Sequence, residues 1–186
     1  SAARELARAH LAQAAADARA LPLGPFAAAL KEGPDPARLA ALFGTDVIRA
    51  MRRMALLPGA EAGFVSCGAS GTLTFRKPCL GFPLPRFGAA CPLWPLYAAL
   101  GRPMQPVRAQ EQTPGPSGAR FTALAFCQPR LAGGFAGPEL REAAMLILPD
   151  PGPVQPGVLG IGSTCRICPR PDCPARREPT ITREGV

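Results

Sequence analysis

Hydrophobic positions change their period near residue 60. Over residues 2–20, alanine, leucine and arginine, all strong helix formers, predict one helix that Leu21-Pro22 ends. Residues 25–30 predict a short helix before Gly33-Pro34. Pro36 suits a first helical turn, with Leu39, Leu42 and Phe43 on one face and Gly44 as the stop. Thr45 or Asp46 can cap the next helix, where Val47, Ile48, Met51 and Met54 recur at helical spacing up to Pro58. This helix pair, with Arg49, Arg52 and Arg53, has the outline of a helix-turn-helix. A packed helical hairpin is the commoner use of short Gly-linked helices, and that reading is preferred.

Beyond Gly63 the pattern alternates. Residues 64–67 and 72–76, separated by Gly68-Ala-Ser-Gly71, read as a β-hairpin. A Pro/Gly loop follows through Phe87-Gly88, and residues 93–100 predict a helix with Pro92 in its first turn. Residues 107–110, 120–127 and 143–148 predict three more strands, separated by turn-like segments. The expected fold is α+β: N-terminal helices, then an antiparallel sheet domain ending in a cysteine-rich metal loop. The expected division is a helical segment at 1–60 and a second domain at 61–186.

Composition narrows the class. The 186 residues are 47% hydrophobic, enough for a core without a cofactor to hold the fold together. The 24 prolines and 20 glycines forecast long irregular loops. A net charge of +8 points to an anionic partner or cofactor. No run approaches the roughly 20 apolar residues of a membrane span, and early charges argue against a signal peptide, so no membrane partner is expected. Seven cysteines, an odd number, cannot all pair, and with no secretion signal they suggest reduced thiols in the cytoplasm. A single histidine, His10, leaves little material for acid–base catalysis. No enzyme activity is expected.

The most specific local signal is Cys165-Arg-Ile-Cys168-Pro-Arg-Pro-Asp-Cys173-Pro. Its C-x2-C-x4-C spacing places three thiols on one loop, and Pro169, Pro171 and Pro174 reduce the entropy of gathering them. A fourth ligand is needed for zinc or for a cubane cluster. Among Cys67, Cys79, Cys91 and Cys127, the first and last lie in predicted strands, where a thiol acts as a small hydrophobe. Cys91 precedes Pro92 at a predicted helix start, which lowers a thiol pKa; it is preferred, with Cys79 in reserve. Zinc sites commonly use two short pairs, so a compact triplet with a distant partner and a following proline favours [4Fe–4S] over zinc. Arg166, Arg170, Arg176 and Arg177 can offset the cluster's negative charge.

Gly160 to Arg177, taken with Arg86-Phe-Gly-Ala-Ala-Cys-Pro-Leu-Trp94, resembles the C-terminal domain of short-chain fatty acyl-CoA regulators. These are XRE-type transcription factors, including regulators of the methylcitrate and glyoxylate pathways. The resemblance covers about residues 63–180, and 39–54 looks like the tail of the family's metallopeptidase-like middle region, which displaces the DNA-reading interpretation of the helix pair. It implies a [4Fe–4S] cluster on Cys91, Cys165, Cys168 and Cys173, a short-chain acyl-CoA ligand, and DNA contact through an N-terminal helix-turn-helix absent from this chain. The chain is therefore expected to be a fragment, and a homo-oligomer. It departs from the family at Lys77 to Pro85, where a Ser/His-containing stretch is usual; this bears on the ligand rather than the cluster.

An acyl-CoA needs an apolar slot and cations for its phosphates. Phe82, Phe87 and Trp94 are candidates for the slot, and Arg76, Arg86 and Arg108 for the phosphates. Competing readings are a zinc-stabilised regulatory or nucleic-acid-binding module, an iron–sulfur DNA glycosylase and an electron carrier. The β-rich middle of the chain fits a glycosylase poorly, and ferredoxins are usually small and acidic.

Overall fold

The computed structural model describes residues 1–86, 89–114 and 118–182. The chain divides into two units, Ser1–Ala60 and Glu61–Val186. In the first, α1 (Ala2–Ala20), α2 (Leu23–Glu32), α3 (Pro36–Leu42) and α4 (Val47–Ala55) follow one another through short turns. Asp35 caps α3 by accepting from the Ala37 and Arg38 amides, and Asp46 caps α4 by accepting from the Arg49 amide. Leu21, Phe26, Leu39, Ile48 and Met51 are buried, each contributing about 1.5–3 kcal/mol of apolar burial.

The arginines of α4 turn inward rather than forming an exposed row. Arg52 Nε donates to Asp17 Oδ2 at 2.6 Å, Arg49 Nε lies 3.2 Å from Asp17 Oδ1, and Arg53 Nε donates to the Leu21 carbonyl at 3.0 Å. Asp17 is 2% exposed. These cations join α4 to α1 and its C-terminal end.

The second unit is built on β1 (Gly63–Gly68), β2 (Leu73–Lys77), β3 (Val107–Gln112), β4 (Arg120–Leu131), β5 (Glu139–Pro149) and β6 (Leu159–Gly160), with α5 (Pro95–Leu100). The strand order is β2-β1-β5-β4-β3-β6. The expectation of an antiparallel sheet is corrected here. The sheet is mixed, because β6 runs parallel to β3 through Glu111↔Leu159 and Gln112↔Gly160. Two residues are too few to show alternation, and a loop held on the sheet steers them into place. Gln110 Nε2 donates to Asp150 Oδ2 and to the Pro153 carbonyl, and Gln110 Oε1 accepts from the Gln155 amide.

Alternation puts Val65 and Cys67 of β1, Phe121, Ala123, Ala125 and Cys127 of β4, and Ala143, Met145 and Ile147 of β5 in one core, with Leu96 and Ala99 of α5. Phe82 packs on Trp94 and Phe121, with ring centroids 5.2 Å apart in both pairs. These contacts seat Phe82 and Trp94 on the sheet. Among the described residues, no helix is long and apolar enough to cross a membrane.

Candidate metal centre

Cys91, Cys165, Cys168 and Cys173 line one small cavity, together with Gly162 and Arg176. Cys165 opens a single 3-10 turn (Cys165–Ile167), and the Cys168 amide donates to its carbonyl at 3.4 Å. Cys91, Cys165 and Cys168 are buried and Cys173 is half-buried. The three remaining cysteines lie elsewhere. Cys67 and Cys127 flank Ala143 from either side in the sheet, and burial pushes the Cys67 thiol up to about 11. Cys79 packs against Gly63, whose amide donates to it.

The helix expected from residue 93 begins at Pro95, so Cys91 lies outside its first turn. A tight turn precedes it, with the Trp94 amide donating to the Cys91 carbonyl at 3.2 Å. The expected lowering of the Cys91 pKa is therefore reversed. Burial raises it, amides of Gly162 and Leu93 oppose the rise, and Cys168 and Cys173 add to it. Metal binding would offset this by stabilising the thiolate.

Three arginines support the loop through its backbone. Arg176 donates to the carbonyls of Cys165 at 3.1 Å and Cys168 at 3.2 Å, and also to that of Arg170. Arg170 donates to the Gly160 carbonyl, anchoring the loop to β6. Arg177 reaches Ala90, the residue before Cys91, at 2.6 Å, while its amide donates to Cys165 Sγ at 3.4 Å. Arg166 is exposed. These guanidinium groups bring positive charge to a thiol-rich site while satisfying carbonyls that have left regular structure.

Gly162 is a residue that spacing rules do not single out. Its amide faces Cys91 and its carbonyl accepts from Trp94 Nε1 at 3.2 Å. A Cβ there would stand 2.7 Å from Cys168 Sγ. Only a glycine leaves that thiol its place.

Four thiols with amide donors to sulfur form a donor set suited to an iron–sulfur cluster. Tetrahedral zinc would need sulfurs within about 3.8 Å of one another, from Zn–S bonds of about 2.3 Å. Among the described residues, no three or more His, Cys, Asp or Glu side chains are grouped so as to hold a metal ion, zinc or any other. The cavity encloses about 10 Å³.

Of the candidate ligand residues, Phe82 and Trp94 meet, with ring centroids 5.2 Å apart, while Arg76 and Arg108 are spread across the sheet. Phe82 and Trp94 are core residues, while Arg76 on β2, Arg86 and Arg108 on β3 are exposed. Three strands separate β2 from β3, placing those strands about 19 Å apart at ordinary spacing. Phe87 lies outside the described residues. A cleft of about 590 Å³ instead borders the cysteine loop, lined by Gln112, Thr113, Val158, Gly160, Pro169 and Arg170 among others.

The family pattern described as short-chain fatty acyl coenzyme A regulator, C-terminal, matches residues 58–185. The chain belongs to this family. It is 34% identical over 197 residues to a propionyl-CoA carboxylase regulator of Cereibacter sphaeroides, covering 97% of this chain and 42% of that protein. It is 27% identical over 200 residues to the HTH-type transcriptional regulator RamB of Mycobacterium tuberculosis, with the same two coverages. A solved structure of a Mycobacterium tuberculosis transcriptional regulator superposes with a TM-score of 0.80 at 27% identity, over 99% of this chain and 61% of that one. The chain thus spans about two fifths of the curated relatives' length. In this family member, the cysteine cavity and its arginine supports lie within the matched region.

Proposed function

We propose that this chain is the ligand-sensing part of a bacterial transcriptional regulator of short-chain acyl-CoA metabolism, with a [4Fe–4S] cluster held by Cys91, Cys165, Cys168 and Cys173. The observation that carries this reading is the meeting of four thiols around one cavity, one of them 74 positions before the next. Such a site joins the middle of the domain to its C-terminal loop. The cluster would supply an oxidation-sensitive cross-link, while Gly162, Leu93 and Arg177 amides steady the sulfur charge.

The acyl-CoA reading draws on the family's description and on relatives titled as regulators. The cleft beside the cysteine loop falls in the usual volume range of ligand sites, about 300–1,000 Å³, and Arg170 is a cation on its wall. DNA contact is assigned to a helix-turn-helix outside this segment, as two relatives are titled HTH-type regulators. The setting is the cytoplasm, where the DNA is, and the assembly is a homo-oligomer.

Anaerobic purification followed by iron, sulfide and zinc analysis tests the cluster. The expected sample is brown, with iron and sulfide in equal amounts. Cys91→Ser should lose as much iron as Cys168→Ser, while Cys79→Ser keeps it. A colourless protein with stoichiometric zinc would refute the cluster. For the ligand, calorimetric titration of the metal-replete chain with propionyl-CoA and acetyl-CoA should give saturable heat; none up to about millimolar ligand, a binding energy near −4 kcal/mol, would reject it.

A further inference from the structure

The sheet extends past its neighbours as a two-stranded arm. β3 accompanies β4 only as far as Val107↔Ala125, and β1 accompanies β5 only from Gly63↔Ile147 to Gly68↔Glu142. Beyond them, β4 and β5 continue together to Leu131↔Glu139. The arm exposes large apolar side chains among its charged ones: Leu131 is 61% exposed, Leu140 46%, and Phe135 at the tip is fully exposed. Its two outer edges differ. On β4, Cys127 already accepts from the Met104 amide at 2.7 Å, and Pro129 has no N–H to offer. On β5, residues 139–141 lie beyond the last β1 pair. An open edge is a template for another strand.

We propose that this edge of β5 pairs antiparallel with the same edge of a second copy of the chain, with Leu140 on the two-fold axis. The charges select both partner and register. Centred on Leu140, Glu139 stands opposite the second copy's Arg141, and Arg141 opposite its Glu139. Within one chain these two already share a face, with Arg141 Nε 3.1 Å from Glu139 Oε1. Pairing would produce four alternating charges in a row, with the two Leu140 side chains meeting on the opposite face. Centring on Glu139 or on Arg141 sets like charges face to face. Centring between Leu140 and Arg141 opposes Glu139 to Glu142. Centring between Glu139 and Leu140 leaves the charges without opposite partners. Cross-strand pairs of opposite charge favour a register and like pairs disfavour it, and an isologous contact closes at two copies.

The inference is independent of the cysteine centre. It is tested by sedimentation equilibrium of the 186-residue chain. Glu139→Arg and Arg141→Glu, each alone, should raise the dimer dissociation constant about tenfold, since each places like charges opposite one another twice. The double variant, and an equimolar mixture of the two single variants, should return to within about threefold of the parent, because both restore opposite charges. Leu140→Cys should add a reducible cross-linked dimer missing from the parent under the same oxidation. A chain monomeric at every concentration, single variants that dimerise as the parent does, or a double variant and mixture as weak as the single variants would each overturn the proposal.

Discussion

The Trp94 indole donates to the Gly162 carbonyl at 3.2 Å within the core, joining the residue three after Cys91 to the residue three before Cys165. Trp94 also packs on Phe82, so the aromatic core and the cysteine cavity share this contact. Core packing thereby sets how closely the two thiol-bearing segments approach.

Trp94→Phe keeps most of the apolar contact but leaves the Gly162 carbonyl without its indole donor. Stability should fall by about 1–3 kcal/mol, the cost of orphaning a buried acceptor. Urea unfolding measures this. Iron per chain should fall too, as the 91 and 165 segments separate.

Gly162→Ala would place a methyl 2.7 Å from Cys168 Sγ. That sulfur can rotate away, so the fold should survive with its circular dichroism unchanged, while one thiol leaves the cavity. The expected result is loss of most bound iron at nearly parental melting temperature. An alanine variant with full iron would show that Cys168 does not need this space.

Glu111 is fully buried in β3, and neither carboxylate oxygen has a hydrogen-bond partner among the described residues. Burial pushes its pKa from 4.5 up to about 8. Between those values the unfolded chain releases a proton that the folded chain keeps, so stability is greatest below about pH 4.5 and is lost as pH rises through about 8. The slope attributable to this group approaches 1.4 kcal/mol per pH unit inside that window. Glu111→Gln should flatten it, as read from urea midpoints between pH 5 and 9.

In the first unit, Asp17 is buried against two guanidinium groups. Asp17→Asn removes the buried carboxylate that Arg49 and Arg52 face and should destabilise the helical unit by about 3 kcal/mol. Thermal melting of the helical circular dichroism signal checks this. Arg52→Met with Asp17→Asn should recover part of the loss, because one of the two cations facing position 17 is then replaced by an apolar side chain.

Much of the local structure was legible in the residues. Helix-forming composition and Pro/Gly breaks located the first two N-terminal helices, helical spacing the next two, and alternation β1 to β5, because both periods report which side of an element meets the core. Cys165, Cys168 and Cys173 were legible as a group through their spacing, since they share one short loop. β6 was not legible, as Leu159–Gly160 carries no period. Gly162 and Glu111 were not legible either: one matters through space beside a distant sulfur, the other through burial without a partner. The separation of Arg76 from Arg108 depended on strand order.

By itself, then, the sequence determined the elements, their inward faces and three thiols held close along the chain. The sequence also favoured Cys91 as their partner; only the tertiary structure set it on one cavity with them, with Cys67, Cys79 and Cys127 elsewhere, and decided that β6 closes the sheet in parallel. The physical reason is range. Local periodicity specifies a face, whereas contacts across tens of residues depend on how the Phe82, Trp94 and Phe121 core packs and on which backbone groups Gln110 and the loop arginines satisfy.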